Sequence, residues 1–497
     1  MATATSVERR PLFIFGAAAT GRATLAWLRA LGVDDVVGFI DSYKTGHVDG
    51  LPIMSFDDFR RDTSGRASVI MGISDPSALF RLSGQLSAER LGPVHPSAWH
   101  FLMAESPART DHIAGRLEAS VAGYRKLLDV GEASPREARS ICHDLAASLY
   151  GLGDIREASR IVARAVIGDP QWTNWSRIGY EGMRQRRGQE LAEAYISWLG
   201  TGRREALASS MASDVASLRR GPYMESPHTV ILETVARCNA HCVFCPYDDL
   251  ARKGTAMSDA MIDRLVGELA LLPRDVPFYL APYGVNEPML DTRLFQMLSA
   301  VNRRAPNATI TLVTNGTALT AANISKLTRL QHLVLNISLH EYRKPEYEKI
   351  TALSFDKVTS NLDALHQRCA AGEVQFPVSV SRAGDGTVHD FLFCDWLRER
   401  YPLFAVGLAE QADWIGQVDV NVPAVPKVGC THWFELVVRA DGTVPLCCAD
   451  GKGEYLIGDV HKQSLLDIYN SPGFRGLRAS AVSRLEREPC SRCTKVE

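Results

Sequence analysis

The chain has 497 residues, eleven of them cysteine, with 46% hydrophobic and 23% charged residues and a formal net charge of −2. That length excludes a single core and sets an expectation of about three domains by size alone. The near-neutral balance excludes a global pull toward nucleic acid or anionic membrane. Met1–Arg10 has no apolar signal core and no run is apolar enough to span a bilayer, so a soluble, cytoplasmic protein is expected.

Residues 11–105 read as a small α/β unit. Pro11–Phe15 is an apolar strand, followed by Gly16-Ala-Ala-Ala-Thr-Gly21, an amphipathic helix over Arg22–Leu31 and a second strand, Val36–Ile40, ending at Asp41. This is the layout of a dinucleotide-binding turn with an acidic residue placed for a ribose, although Ala18 stands where a second glycine would admit a pyrophosphate. With Gly50–Ile53, the strand Ala67–Ile73 and Val94–Ala98, the region resembles the Rossmann-like N-terminal domain of sugar-nucleotide acyltransferases. The hexapeptide repeats of that family are missing, so acyl transfer is not implied. The expected domain is 1–108.

From 109 to 222 the pattern is helical. Leu117, Tyr124, Leu127 and Leu128 recur at helical spacing, as do Leu145, Leu149, Ile155, Ala158 and Ile161. Ala146–Leu149, Gly151, Gly153 and Ala158 resemble one tetratricopeptide-type (TPR) helix–turn–helix, and the segment is expected to be a helical linker domain and a candidate protein-docking surface.

Over 223–420, strands alternate with helices. The strands are expected at Val230–Thr234, Phe278–Ala281, Ile310–Thr314, His332–Ser338, Pro377–Ser381 and Phe404–Leu408, and helices at Asp259–Leu272, Thr292–Arg304 and Phe355–Ala371. The fold class is therefore α/β, with a parallel, partial (β/α)6 barrel. The first strand leads into Arg237-Cys-Asn-Ala-His-Cys-Val-Phe-Cys-Pro-Tyr247. Three thiolates on one loop suit an iron–sulfur cube and leave one iron open to chelate an amino acid. A zinc ribbon would need a fourth close ligand, for which His241 is the local candidate.

This loop carries the signature of the radical S-adenosyl-L-methionine (SAM) superfamily. The resemblance implies a SAM-binding [4Fe–4S] cluster on Cys238, Cys242 and Cys245, with backbone near Phe244 meeting the adenine. It further implies that Asn286 and Glu287, in Pro282-Tyr-Gly-Val-Asn-Glu-Pro288, contact the SAM methionine, and that Asn315, Ser338, Ser381 and Arg382 present polar groups to the cofactor at successive strand ends.

The remaining segment, 421–497, contains Cys430, Phe434–Val438, Ala440-Asp-Gly-Thr-Val-Pro-Leu-Cys-Cys448, Leu456–Asp459, Ser464–Ile468 and Pro489-Cys-Ser-Arg-Cys493. Asp441-Gly442 is read as a hairpin turn between two short strands. The order of these motifs resembles the SPASM or shorter twitch extension of radical SAM enzymes. That resemblance implies one auxiliary [4Fe–4S] cluster on Cys430, Cys447, Cys490 and Cys493, with Cys448 on the opposite face of its strand.

The same resemblance implies reductive cleavage of SAM to a 5′-deoxyadenosyl radical that takes hydrogen from a substrate. An epimerase then returns hydrogen from a thiol, and the leftover cysteines, Cys394 first and Cys448 second, are the candidate donors. The expected function is a carbohydrate-active radical SAM epimerase of antibiotic biosynthesis, acting on a carbohydrate or glycoside with a flavodoxin or ferredoxin as reductant. The alternatives are a sugar or aminocyclitol dehydrogenase, a peptide-modifying enzyme and a non-catalytic iron–sulfur scaffold. No nucleic-acid or membrane partner is expected.

Overall fold

The computed structural model describes residues 11–30, 35–63, 67–73, 82, 86, 94–95, 107–129, 135–165, 172–420 and 424–496. Met1–Arg10, Leu31 and Pro96–Ala98, invoked above, lie outside them. The chain divides into two compact units, Met1–Tyr195 and Ile196–Glu497. The division falls within the helix Gln189–Arg220.

In the first unit the strands are β1 (Leu12–Phe15), β2 (Val36–Ile40), β3 (Gly46–Val48), β4 (Leu51–Met54), β5 (Ser68–Met71) and β6 (Val94–His95), ordered β3-β4-β2-β1-β5-β6. All neighbours are parallel except β3 and β4. The helix Ala19–Ala30 starts close against the end of β1. A Cβ on Gly21 would lie 1.8 Å from the Gly16 carbonyl oxygen, so the turn requires glycine there. Asp41 accepts hydrogen bonds from the amides of Ala17 (2.8 Å), Tyr43 (2.8 Å) and Lys44 (3.0 Å), pinning the glycine-rich turn to the loop after β2. Helices Leu117–Asp129, Pro135–Gly151, Ile155–Ala165 and Trp172–Arg187 follow. Their expected apolar positions Leu117, Tyr124, Leu145, Leu149, Ala158 and Ile161 are buried, whereas Ile155, in a first turn, faces out.

The second unit is built on one sheet. Its strands are β7 (Thr229–Leu232), β8 (Phe278–Ala281), β9 (Ala308–Thr314), β10 (Leu333–Ser338), β11 (Val378–Gly384), β12 (Ala405–Glu410) and β13 (Glu435–Val438), ordered β12-β11-β10-β9-β8-β7-β13. Every neighbouring pair is parallel. Burial alternates along β9 and β10 and along β11 as far as Ala383. Residues such as Leu232, Leu280, Leu312, Ile337 and Val380 bury one face under the helices, each contributing about 1.5–3 kcal/mol. The alternate residues, among them Asn336, Ser338, Ser379 and Ser381, line the other face.

Local sequence sets the helix ends. Ser258, Thr320, Ser354 and Thr387 cap their helices by accepting backbone N–H groups in the first turn. The helix from Asp259 ends at Leu269, before the expected Leu272, because Pro273 disfavours helical geometry at the residue before it. No helix among the described residues is long and apolar enough to cross a membrane.

The C-terminal segment departs from expectation at the hairpin. Gly442, at φ +80°, donates its N–H to the Arg439 carbonyl (2.9 Å), so the turn is present. The flanking strands, however, go to different sheets. β13 adds to the edge of β7, pairing Leu436 with Val230 and Val438 with Leu232, while β14 (Thr443–Pro445) pairs antiparallel with β15 (Leu456–Asp459). The open edge of β7 offers unpaired backbone groups, and the continuous apolar run Leu436–Val438 of β13 suits a strand buried on both faces. The six expected barrel strands thereby gain a seventh.

Candidate active site

Cys238, Cys242 and Cys245 occupy the loop after β7, half-buried as free thiols. The loop is held from several sides. The His241 and Val243 amides donate to the carbonyls of Thr351 (2.8 Å) and Ile350 (3.1 Å), and the Cys245 amide donates to the Cys242 carbonyl (2.9 Å). Burial pushes the thiol pKa values up, to about 11 for Cys238, about 12 for Cys242 and about 11 for Cys245; at Cys242 the neighbouring Cys245 and Cys238 add to it. Three converging sulfurs that resist ionisation on their own suit a cationic partner, which stabilises thiolates. His241 turns outward: its side chain is 55% exposed and Nδ1 lies 2.8 Å from Asp248 Oδ1, so its ring is committed to the rim rather than to the three thiols.

The strand-end residues are placed around this loop with unequal freedom. Asn286 accepts from the Gly284 amide (2.8 Å) through Oδ1, and its Nδ2 is a buried donor without an acceptor. That orphaned amide is the feature of the site best suited to an anionic cofactor group such as a carboxylate. Ser338 and Ser381 are register partners on β10 and β11, beside Asn336, whose buried Oδ1 also lacks a donor. Phe244 packs edge-on against His340, ring centroids 4.9 Å apart. His340 accepts from the Ala383 amide at Nδ1 (3.2 Å), and burial together with Arg382 lowers its pKa to about 4, so it is neutral.

Four of the expected roles need correction. Glu287 is 2% exposed, and its oxygens accept from Met289 N (3.0 Å), Thr314 Oγ1 (2.8 Å) and Asn315 N (2.7 Å), so it locks β8 to β9 rather than presenting a carboxylate to SAM. Arg382 donates to Asp390 (2.7 Å), Asp385 (2.8 Å) and the His340 carbonyl, and is consumed by these acceptors. Asn315 is similarly engaged, donating to Asn239 (2.8 Å) and accepting from the Thr317 hydroxyl (2.7 Å), which ties the end of β9 to the cysteine loop. The fourth correction is Cys394. It lies in the helix Val388–Arg400 with no exposed surface, packed with Phe393 and Leu397 in the core under the outer face of the sheet. A thiol there cannot reach the inner face.

The second cysteine set is assembled from three separate segments. Cys430, Cys447, Cys490 and Cys493 are all buried. Ionisation of Cys447 is disfavoured first by burial and then by Cys448, Cys493, Cys430 and Cys490, which shows that the four expected ligands converge. Arg484, fully buried, clasps both ends of this set. Its guanidinium donates to the carbonyls of Gly429 (3.2 Å), Cys493 (3.3 Å) and Lys495, and lies 3.9 Å from Cys493 Sγ. No local pattern in the sequence singled out Arg484.

Cys447 and Cys448 follow β14 in a turn, not on the strand expected from alternation. Cys448 nonetheless points away from the set. Its sulfur is 3.7 Å from His432 Nδ1 and 3.8 Å from Lys495 Nζ, and His432 pairs with Glu435 at 2.8 Å. Burial opposes ionisation of Cys448, yet His432 and Lys495 hold its pKa below the ordinary thiol value. These residues line a cavity of about 200 Å³ on the inner side of β7 and β13, together with Tyr283 and Trp414. His432 and Lys495, each two residues from an expected ligand, were not singled out from sequence.

Residues 232–371 match the model of the radical SAM superfamily, and residues 430–494 match that of SPASM, an iron–sulfur cluster-binding domain. The chain carries a radical SAM domain followed by a SPASM domain. Together these indicate a SAM-binding [4Fe–4S] cluster and auxiliary iron–sulfur binding, and the two thiol sets described above fit that chemistry. Among solved structures, the chain is similar to BtrN in complex with AdoMet and 2-DOIA (18% identity, TM-score 0.40, covering 54% of this chain and 93% of that one). It is also similar to Streptococcus suis SuiB bound to the precursor peptide SuiA (12%, TM-score 0.38, 68% and 86%) and to anSMEcpe with bound AdoMet and the Cp18Cys peptide (15%, TM-score 0.39, 54% and 87%). No curated protein matches the chain.

Proposed function

We propose that this radical SAM enzyme is an epimerase of a hydroxyl-rich, carbohydrate-type substrate, with Cys448 as the hydrogen donor. In this reading Cys238, Cys242 and Cys245 would hold the SAM-binding cluster, and Cys430, Cys447, Cys490 and Cys493 the auxiliary one. When bound, the first cluster and SAM supply a 5′-deoxyadenosyl radical that takes a hydrogen atom from the substrate. The observation that carries the reading is the place of Cys448: a thiol outside both sets, opening on the cavity lined by Tyr283, Glu435 and Trp414 and held by His432 and Lys495. Its S–H bond breaks as a C–H bond forms at the substrate radical from the opposite face. The thiyl left behind is restored by one electron and one proton, the electron coming from an external low-potential reductant such as flavodoxin or ferredoxin.

The test is turnover in deuterated water with reconstituted enzyme, dithionite and candidate glycosides. Deuterium at an inverted carbon, lost in Cys448→Ala while 5′-deoxyadenosine still forms, is the expected result. Inversion that survives in Cys448→Ala would exclude this thiol as donor. A second reading, oxidation of a substrate hydroxyl, would send the substrate radical's electron to the auxiliary cluster and its proton to a base, for which Glu435, paired with His432 in the same cavity, is the candidate. A ketone product would favour it. Absence of any SAM cleavage would favour a scaffold.

A further inference from the structure

Two consecutive residues join the two cysteine sites, and neither belongs to a ligand motif. Trp414 and Ile415 lie between β12 and β13, and both adopt left-handed backbone conformations, with φ of +51° and +61°. That region disfavours any side chain and a β-branched one most, so it persists only where surrounding contacts dictate it. Here they do. The Asp413 carboxylate accepts from the Ile415 amide (3.2 Å) and from the Thr494 hydroxyl (3.4 Å), and the amides of Gln417 and Val418 donate back to the carbonyls of Trp414 (3.3 Å) and Asp413 (3.0 Å). Gln417 in turn bonds Asp450 (2.9 Å) and the Lys452 amide (2.9 Å).

The turn sends its two side chains to different sites. The Trp414 indole N–H donates to the carbonyl of Phe244 (3.0 Å), between Cys242 and Cys245. Its ring packs on Tyr247, Leu250 and Val285, the same buried group that supports Cys238 and Cys245. Ile415, 6% exposed, packs instead with Cys447 and Ala449 of the second set.

We propose that Trp414 and Ile415 form a positioning staple that fixes the two iron–sulfur sites to each other, so that a change at either side chain is felt at both. The staple acts through Phe244 and Cys447; neither of its residues is a catalytic residue. This inference rests on the presence of the two cluster sites and is independent of whether the enzyme epimerises or oxidises. Groups that bond or pack behind metal ligands tune the metal's environment, which gives the staple a spectroscopic readout.

The test uses fully reconstituted holoenzyme and low-temperature EPR during a redox titration, with added SAM marking the signal of the first set. Trp414→Phe removes the N–H and part of the ring's packing on Tyr247, Leu250 and Val285, and Ile415→Ala removes the packing on Cys447, with Ile415→Val as a control that keeps most of it. The expected result is that Trp414→Phe shifts the midpoint and line shape of the second set as well as the first, that Ile415→Ala shifts the first as well as the second, and that Ile415→Val shifts neither. If Ile415→Ala fails to load, Trp414→Phe and its effect on the second set decide alone. Effects confined to the site each side chain touches, or no effect, would overturn the proposal.

Discussion

The two cysteine sets solve one problem, gathering thiols around a site, in opposite ways. The first set lies within one loop, half-buried, held by backbone hydrogen bonds to Ile350 and Thr351. The second takes its four thiols from three segments, buries all of them and depends on Arg484 to clasp Gly429, Cys493 and Lys495. A local set costs little loop entropy to assemble and keeps a free side for a cofactor. A set drawn from distant segments is costlier to assemble and closes on itself. The comparison teaches that ligand number decides whether a cube keeps an open position, three thiols leaving one and four closing it, while the number of segments decides how costly the set is to assemble.

Removing one set and keeping the other gives the largest effects. Replacing Cys238, Cys242 and Cys245 together with Ala should abolish 5′-deoxyadenosine formation and leave the iron of the second set, measured by chromatography and iron analysis. Cys447→Ala should lose iron from the second set while Cys448→Ala keeps it; equal loss in both would erase the distinction between ligand and donor.

Next comes the buried pair that ties the loops together. Glu233 accepts from Arg252 (2.7 and 3.0 Å) and from the Val285 amide (3.0 Å), and Glu233→Gln leaves the Arg252 charge without its partner. A loss of about 3–5 kcal/mol is expected, read by chemical denaturation of the holoenzyme. Arg484→Met keeps bulk but removes the donors to buried carbonyls, at about 1–3 kcal/mol. Iron should be lost from the second set only, so loss of SAM-cleaving activity as well would show that the two sets are not separable. Cys394→Ala is the smallest: a small core cavity costing about 1 kcal/mol in thermal melts, with inversion unchanged.

How far the sequence carried the reading depended on how local each feature was. The loop after β7 and the strand positions were legible because each is written in a few adjacent residues. Arg382 and Glu287 were visible as polar groups at strand ends, but their partners, Asp390 and Thr314, come from other segments and take up the side chains. Cys394 could have been read correctly: Phe391, Cys394 and Leu397 recur at helical spacing, which is the mark of a buried face. The turn at Gly442 was likewise written locally, whereas the separate destinations of β13 and β14 were not.

The sequence by itself determined that this chain folds around a parallel sheet and bears two thiol sets, because hydrophobic alternation and ligand spacing are properties of neighbouring residues. Only the tertiary structure decided which thiol opens on the cavity, which polar groups are spent on one another, and that Trp414 and Ile415 bridge the sites. Those outcomes depend on burial and on contacts between segments far apart in the chain, and no local pattern encodes them.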